Sequence, residues 1–198
     1  MGQIDKFRAA MGKAKGFARP SKFAVRINPP TMISTIGNAF YTANGETRPT
    51  VNTEYADAQA AVRELYMGSG KQIELFCNSV EMPGHDLQAQ QEQHGSAPVR
   101  DIVTSHGFEG MITASFYLSE DLKERHFFEQ WQRLAVNVES HKANFYDDYI
   151  GSMEIYQLDT NNEITYGIKA TEVYPSTIGG IEYSYDSANQ VATQAVSF

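Results

Sequence analysis

The side chains that carry catalytic or metal-binding chemistry are scattered along this chain. Its five histidines never occur as HxH, as HExxH or as a pair at helical spacing, which are the arrangements that bring two imidazoles to one metal ion. His85 and His94 lie in one polar stretch with Asp86, but such loop histidines are more often solvated than bound to a metal. We therefore predict no metal site and no histidine-based catalysis.

Carboxylates and glycines give no catalytic arrangement either. The pair Glu120–Asp121 is explained by the start of a helix, where acidic side chains complement the positive end of the helix dipole. The pair Asp147–Asp148 is typical of a solvated linker. The segment Gly68–Gly70 lacks the lysine and the spacing of a phosphate-binding loop, and no GxSxG motif is present. We predict that the chain is not an enzyme and that it holds no catalytic residue, cofactor or metal ion.

Cys77 is the only cysteine of the chain. An internal disulfide and a thiolate metal cluster are therefore excluded, which fits a protein that folds in a reducing cytoplasm. Cys77 belongs to a strand-like run with Ile73 and Leu75, and a free cysteine in such a run is more often a small buried apolar group than a reactive thiol.

Length and composition predict a globular protein. The chain has 198 residues, enough for one domain or one domain with a large insertion. Hydrophobic residues make up 41% of it and aromatic residues 12%, which is enough for a packed core. Its apolar runs are far shorter than the about 20 residues that cross a bilayer, and its start lacks the apolar centre of a secretory signal. We expect a single domain over residues 1–198 without membrane insertion.

Charge is distributed unevenly along the chain. The net charge is −8, yet residues 1–26 contain seven basic groups and one acidic group, which leaves nine basic and 23 acidic groups in the rest. This pattern predicts a basic N-terminal arm, residues 1–20, on an acidic body. Such an arm can dock on nucleic acid, on anionic lipid or on the acidic body of a neighbouring copy, and it can equally remain solvated.

Patterning in the first half predicts two helices and two strands. Residues 2–16 favour a short basic helix, and residues 22–27 alternate as a strand. An insertion over residues 31–70 follows, with a helix predicted over residues 54–67 that ends at a glycine. Residues 71–80 are predicted as the next strand.

The second half is predicted as strands around one long helix. Residues 85–106 are polar and indicate an extended hairpin, and residues 112–118 alternate as a strand. The helix follows, with Ser119 as its N-cap and a stripe of apolar side chains along one face. Further strands are predicted from Met153, over 164–170, over 181–185 and over 191–197. The last of these is expected at a sheet edge that another subunit completes.

Together these elements predict a mainly β, α+β fold. It is an antiparallel β-sandwich or partial barrel with one packed helix, and a helical insertion separates the first two strands. The aromatic stripe is expected to seal one face of a sheet, since full burial of each ring is worth roughly 1.5–3 kcal/mol. The predicted helix–sheet core consists of Phe116, Phe127, Phe128, Trp131, Leu134, Ile164, Tyr166 and Ile168.

Short motifs in a fixed order carry a resemblance to a known family. FARP (17–20) precedes the first strand, and SVEMPG (79–84) ends a later one. The FFxxW helix (127–131) follows, and VYPSTIG (173–179) with YSYDSANQ (183–190) closes the set. In this order the chain resembles the tail tube proteins of contractile-tailed bacteriophages, which are also similar to the tubes of type VI secretion systems.

The resemblance implies a structural virion protein of the tail, assembled in the host cytoplasm. Each subunit would be a β-sandwich with a helix at its side, and six subunits would join sheet edges into a ring. Stacked rings would form a tube through which the genome passes, without specific contacts to the DNA. If the apolar side chains of the 164–170 strand face the helix, Thr165, Lys169 and Thr171 are the candidate lumen-facing residues.

Contacts between rings are expected from two segments. The 85–106 hairpin matches the family's long hairpin that touches the adjoining ring, and the basic arm is a second candidate. Candidate inter-ring residues are Lys6, Arg8, Lys13, Lys15, Arg19, Gln90, Glu92 and His94. The expected partners are further copies of this chain, together with sheath, tape-measure or baseplate hub proteins.

Two alternatives to a repeated tube subunit stay open. The 31–70 insertion departs from the main tube subunits and resembles that of the baseplate proteins that initiate the tube. A non-catalytic β-sandwich adaptor, using residues 31–70 and 85–106 as recognition loops, is the other alternative.

Overall fold

The structure, a computed structural model, describes residues 3–13, 17–30, 40–43, 46–49, 55–96, 98–108, 110–184 and 190–198. The helices are α1 (Gln3–Lys13), α2 (Ala56–Leu75), α3 (Lys123–Ala135) and α4 (Tyr146–Tyr149). The strands of the first half are β1 (Phe23–Asn28), β2 (Phe40–Ala43), β3 (Glu46–Pro49), β4 (Cys77–Val80), β5 (His85–Glu92), β6 (Arg100–Phe108) and β7 (Thr113–Tyr117). Those of the second half are β8 (Gly151–Leu158), β9 (Ile164–Val173), β10 (Thr177–Ile178) and β11 (Thr193–Ser197).

Two main sheets and two hairpins contain these strands. The first sheet has the order β1-β8-β9, and the second has the order β10-β11-β7-β4. The pairs β2–β3 and β5–β6 stand as separate two-stranded hairpins, and every pairing is antiparallel. The prediction of a mainly β, α+β fold is confirmed, and within the described residues neither main sheet closes into a barrel.

The core lies between the two sheets and the helices α2 and α3. Phe127, Phe128, Trp131 and Leu134 of α3 are each no more than 1% exposed, as is Phe116 of β7. The rings meet edge to face, and the Trp131 indole donates a 2.7 Å hydrogen bond to the Tyr149 carbonyl. The buried indole N–H is therefore satisfied, as a Trp in a core requires.

Helix α3 begins four residues later than its predicted cap. Ser119 does not cap it, because Leu122, with φ 50°, turns the chain before Lys123. Ser119 instead donates from its N–H and its hydroxyl to one carboxylate oxygen of the buried Glu124, at 3.0 and 2.8 Å. A serine and an acidic residue thus lie at the start of the helix, as predicted, but the Glu124 carboxylate bonds to Ser119 across the turn and Ser119 does not cap the helix.

Helix α2 is longer than predicted and takes the place of a predicted strand. It runs through Gly68 and Gly70 to Leu75, so the strand expected over 71–80 is reduced to β4. Tertiary packing overrides the helix-weakening glycines. Ile73 is buried in the core, and Gly70 lies so close to the Tyr66 ring that a Cβ atom would stand 2.7 Å from it.

Two predicted core residues are exposed. Ile164 and Tyr166 at the start of β9 are 62% and 55% exposed, and Ile168 is half-buried. The prediction that Ile164 and Tyr166 belong to the helix–sheet core is therefore wrong for this subunit. The physical reason is position, because β9 is an edge strand and its first half extends past the packed interior.

The end of the chain also differs from expectation. Residues 181–184 form no strand, and the rest of that predicted strand lies outside the described residues. The last strand, β11, is not at a sheet edge, because it lies between β10 and β7. Phe198 is buried and its ring packs on Phe128 and Trp131, so this aromatic holds β11 inside the sheet.

Candidate functional site

The first sheet has one buried face and one open face. Val25, Ile27, Met153 and Ile155 are all buried, and because side chains alternate along a strand, their neighbours point the other way. The register places Arg26 beside Glu154 and Glu154 beside Lys169. These three charged residues therefore form one row across the open face.

Glu154 is the centre of this row. Its carboxylate lies 3.3 Å from the Lys169 Nζ and 3.9 Å from the Arg26 Nη1, and it accepts a 2.6 Å hydrogen bond from the Tyr156 hydroxyl. The Tyr156 hydrogen bond, and after it Lys169 and Arg26, lower the pKa of Glu154 against the opposing effect of burial. The same hydrogen bond raises the pKa of Tyr156. The carboxylate is thus held charged between two cations.

The predicted lumen-facing residues lie on this open face. Thr165, Lys169 and Thr171 alternate with Tyr166, Ile168 and Ala170 along β9, and all three are exposed. The Thr165 hydroxyl donates to the Gln157 carbonyl at 3.1 Å. That this face lines a channel remains a prediction.

One lateral edge of the first sheet, strand β9, has backbone groups without a partner among the described residues. The Lys22 carbonyl accepts a 2.9 Å hydrogen bond from the Leu158 N–H. Because hydrogen-bonded pairs alternate along an antiparallel ladder, the even-numbered residues of β1 and β8 form the backbone hydrogen bonds between these two strands. The odd-numbered residues of β8 then bond to Tyr166, Ile168 and Ala170 of β9. The backbone groups of the residues between them, from Thr165 to Thr171, point outward. Beside this edge the sandwich opens into a cavity of about 550 Å³ between β9 and residues 110–112, which precede β7.

The opposite edge, strand β1, is partly covered by α2. The Glu74 carboxylate accepts a 3.1 Å hydrogen bond from the Ile27 N–H. A groove of about 370 Å³ adjoins the rest of this edge. Its lining residues are Phe23, Ala24, Val25, Lys71, Glu74, Leu75 and Cys77. Burial raises the pKa of the Cys77 thiol to about 12, so it is an apolar wall of the groove and not a nucleophile.

The β5–β6 hairpin extends from the body. Every residue of β5 and all of β6 except Gly107 are exposed, and Leu87 is 70% exposed. Of the predicted inter-ring residues here, Gln90 and Glu92 lie on β5 and His94 lies just after it. The His94 and Glu92 side chains approach to 3.8 Å.

The predicted basic arm contains helix α1 and the segment after it. Lys6, Arg8 and Arg19 are exposed, Lys13 is the last residue of α1, and Lys15 lies outside the described residues. The Phe7 and Phe17 rings are 6.3 Å apart, and both are more than half exposed. The arm and the hairpin therefore present charge and apolar surface together, which suits contacts with a partner.

Sequence reasoning missed the residues that organise the two edges and the open face. Arg26, Glu154 and Tyr156 come together only through the register of β1, β8 and β9. Their signal was present as polar positions that alternate with Val25, Ile27, Met153 and Ile155. Glu74 was hidden because its segment was predicted as strand.

Other functional features are lacking in the described part of the chain. No group of three or more His, Cys, Asp or Glu residues there is arranged to hold a metal ion. No helix in the same residues has both the length and the apolar character to span a bilayer.

Two solved structures contain chains with a similar fold. A chain of the sheath–tube complex of the extracellular contractile injection system PVC, in its extended state, superposes with a TM-score of 0.53 at 9% identity. The match covers 96% of this chain and 90% of that one. A chain of the anti-feeding prophage tube-terminating cap gives a TM-score of 0.51 at 10% identity, over 91% of this chain and 85% of that one.

Sequence comparison identifies the family directly. No curated protein matches the chain. The family described as Phage tail tube protein, however, matches residues 18–198, which is nearly the whole chain and includes both main sheets, the hairpin and α3. The prediction made from the ordered motifs is thereby confirmed: this chain belongs to the phage tail tube protein family and is a structural component of the virion tail.

Proposed function

We propose that six copies of this chain join side by side into a ring and that the rings stack into the tube that conducts the phage genome. The observation that carries this proposal is the outer backbone of β9, which faces outward along an exposed strand and finds no partner in the part of the chain that the structure describes. A free strand edge is a template for pairing with another chain, and closing the edges into a ring removes it.

The two lateral sides of the subunit support a head-to-tail ring. One side presents β9 and the open cavity of about 550 Å³, and the other presents α2 and the groove beside β1. Because these surfaces differ, a contact between them joins unlike patches on two copies. Such contacts generate closed rings when the rotation between copies closes.

The open face of the first sheet is proposed to line the channel. In a ring built through β9, all copies turn this face to the same side. Its charged row contains Arg26 and Lys169 against Glu154, so the row carries only one net positive charge per copy, although the chain carries a net charge of −8. A lining without a strong charge of either sign lets a polyanion slide past without specific binding.

Stacking and further partners belong to the same proposal. The exposed β5–β6 hairpin and the basic arm supply the contacts between rings. Sheath, tape-measure and baseplate hub proteins are proposed to bind the outside or the ends of the tube, and assembly is proposed in the host cytoplasm. A structural role without catalysis, over one domain of residues 1–198 with an insertion at 31–70, completes the proposal.

Electron microscopy of the purified protein tests the ring. Negative-stain images are expected to show six-fold rings or short tubes, whereas a dispersed monomer at every concentration would argue for a β-sandwich adaptor. Counting copies per virion then distinguishes the repeated tube subunit from a tube initiator of the baseplate, since an initiator occupies only one or two rings.

A further inference from the structure

We propose that the junction between copies is a parallel pairing of β9 with the Phe23–Val25 edge of β1 in the next copy, and that Glu74 is the positioning residue that ends this pairing before Ile27. The inference rests on the proposed ring and specifies its joint. It concerns a second copy of this chain as the partner, and it fixes which residues of the two copies become neighbours.

The direction of the joint follows from the sheet. β1 is antiparallel to β8, and β8 is antiparallel to β9, so β1 and β9 run the same way. Rotation about a ring axis does not reverse a strand relative to that axis. The β9 of one copy and the β1 of the next must therefore pair in parallel.

The backbone groups available for this joint are limited. On β9 the outward-pointing residues run from Thr165 to Thr171 in steps of two. On β1 they are Phe23, Val25 and Ile27, but the Ile27 N–H already donates to the Glu74 carboxylate. Within the described residues, Phe23 and Val25 of this edge remain for a partner strand, and both line the groove of about 370 Å³ that would receive its side chains.

A second stop lies on β9. Glu172 has φ 59°, and the register shifts there, because Thr171 pairs with Ser152 while Val173 pairs with Gly151. A residue in this conformation is a bulge that ends regular pairing. The outward groups of β9 therefore stop at Thr171, as those of β1 stop at Val25.

Aligning the two stops gives one register. If the Thr171 N–H donates to the Val25 carbonyl of the next copy, Ala170 lies opposite Val25 and Lys169 lies opposite Ala24. Pairing without this offset would place Lys169 opposite Arg26, since both are level with Glu154 within one copy. Like charges directly opposite each other are destabilising, and a closed barrel needs its strands staggered.

Cysteine pairs on the exposed face test the register. In a Cys77→Ser background, the pair Ala24→Cys with Lys169→Cys is expected to form disulfides between copies in assembled rings. The matched control pair, Arg26→Cys with Lys169→Cys, is expected to stay at background under the same oxidation. Neither pair can close within one copy, because β8 separates the strands and opposite Cα atoms then lie beyond the about 7 Å limit for a disulfide.

Changing Glu74 tests its role as the stop. Glu74→Ala frees the Ile27 N–H, so the β9 of the neighbouring copy can shift by two residues along β1 and bring Lys169 opposite Arg26. We therefore expect several-fold more linkage through the Arg26/Lys169 cysteine pair. Glu74→Gln keeps an acceptor oxygen and is expected to restore the original pattern. A residue that only supported the fold would change ring yield without moving linkage from one pair to the other.

The possible outcomes distinguish a failure of the proposed strand pairing from a failure of the proposed ring. Six-fold rings in which the Ala24/Lys169 pair fails to link, or in which both pairs link equally, would overturn the register while the proposed function stands. Rings whose linkage does not respond to Glu74→Ala would overturn the stop. A protein that remains monomeric under all conditions would overturn the ring and the joint with it.

Discussion

Glu154 shows how single residues define the surface of the first sheet. It lies in a strand between the buried Met153 and Ile155, and its side chain points to the opposite, open face. There it is 14% exposed and contacts Arg26, Lys169 and Tyr156. A carboxylate so placed must be compensated, because partial burial disfavours its charged form. Two cations and one hydroxyl supply that compensation, and they leave one net positive charge on the open face.

The lowered pKa of Glu154 makes part of the stability depend on pH. A carboxyl whose folded-state pKa lies below its ordinary 4.5 stabilises the fold above that value and loses the contribution as the pH falls through the folded pKa. We expect Glu154→Gln to lower the free energy of unfolding at neutral pH, and the difference from wild type to shrink in acid. Urea denaturation across this range measures it, with the exposed Glu182→Gln as control. A difference that is constant with pH would contradict the charge network.

Gly151 is required at the start of β8 by close packing. A Cβ atom there would overlap the Asn28 carbonyl oxygen and stand 2.7 Å from the Trp131 ring. We expect Gly151→Ala to lower the free energy of unfolding by about 1–3 kcal/mol, the usual cost of overpacking. Gly180→Ala is the matched control, because its Cβ would meet nothing within 4 Å. Equal midpoints for the two variants in denaturant would contradict this packing.

At the scale of elements, α3 holds the two sheets together. Its buried rings contact Phe116 of β7 and Phe198 after β11, and the Trp131 indole reaches the Tyr149 carbonyl before β8. The helix thereby fixes both the second sheet and the start of a central strand of the first. Loss of this packing should therefore affect the whole subunit.

Truncating one ring of α3 tests that role. Phe128 is fully buried, and we expect Phe128→Ala to lower the free energy of unfolding by about 3–5 kcal/mol. Val138→Ala, which removes an apolar group that is 63% exposed, is expected to stay within about 0.5 kcal/mol. Thermal and chemical denaturation measure both. A small loss at Phe128 would mean that the sheets hold together without the helix.

The elements also show what the sequence could and could not predict. The stripe of α3, the alternation of β7 and the polar hairpin were readable because period and burial agree there. Helix α2 was predicted too short because burial of Ile73 outweighs two glycines. Ile164 and Tyr166 were placed in the core because alternation tells which residues share a face, and it does not tell where along the strand the core ends.

The candidate site was harder to predict than the fold. Lys169 was predicted to face the lumen, but its neighbours Glu154 and Arg26 can be identified only from the register of three strands. Glu74 reaches Ile27 across 47 positions of sequence. Such contacts depend on how distant elements pack, and no local pattern contains that information.

At the scale of the whole molecule, charge is divided among separate surfaces. The chain carries a net charge of −8, while its arm is basic and the charged row of its open face carries one net positive charge. A basic segment on one copy and acidic surface on another attract each other when copies come together. We therefore expect the arm to stabilise stacking of rings and to leave closure of each ring unaffected.

Deleting residues 1–16 tests this division. The truncated chain keeps β1, Glu74 and β9, so we expect it to form six-fold rings, and we expect those rings to stack into tubes less often than wild type.

Because exposed charges are screened beyond about 10 Å at 0.1 M salt, wild-type tubes should shorten as salt rises, and the truncated protein should respond much less. A chain that keeps its arm but carries Lys6→Gln and Arg8→Gln separates charge from the apolar Ile4 and Phe7, which are 69% and 58% exposed. Electron microscopy of tube lengths over a salt series measures all three proteins. Tubes of equal length from the truncated and the full chain at every salt concentration would show that the arm is no clamp between rings and would leave the β5–β6 hairpin as the stacking element.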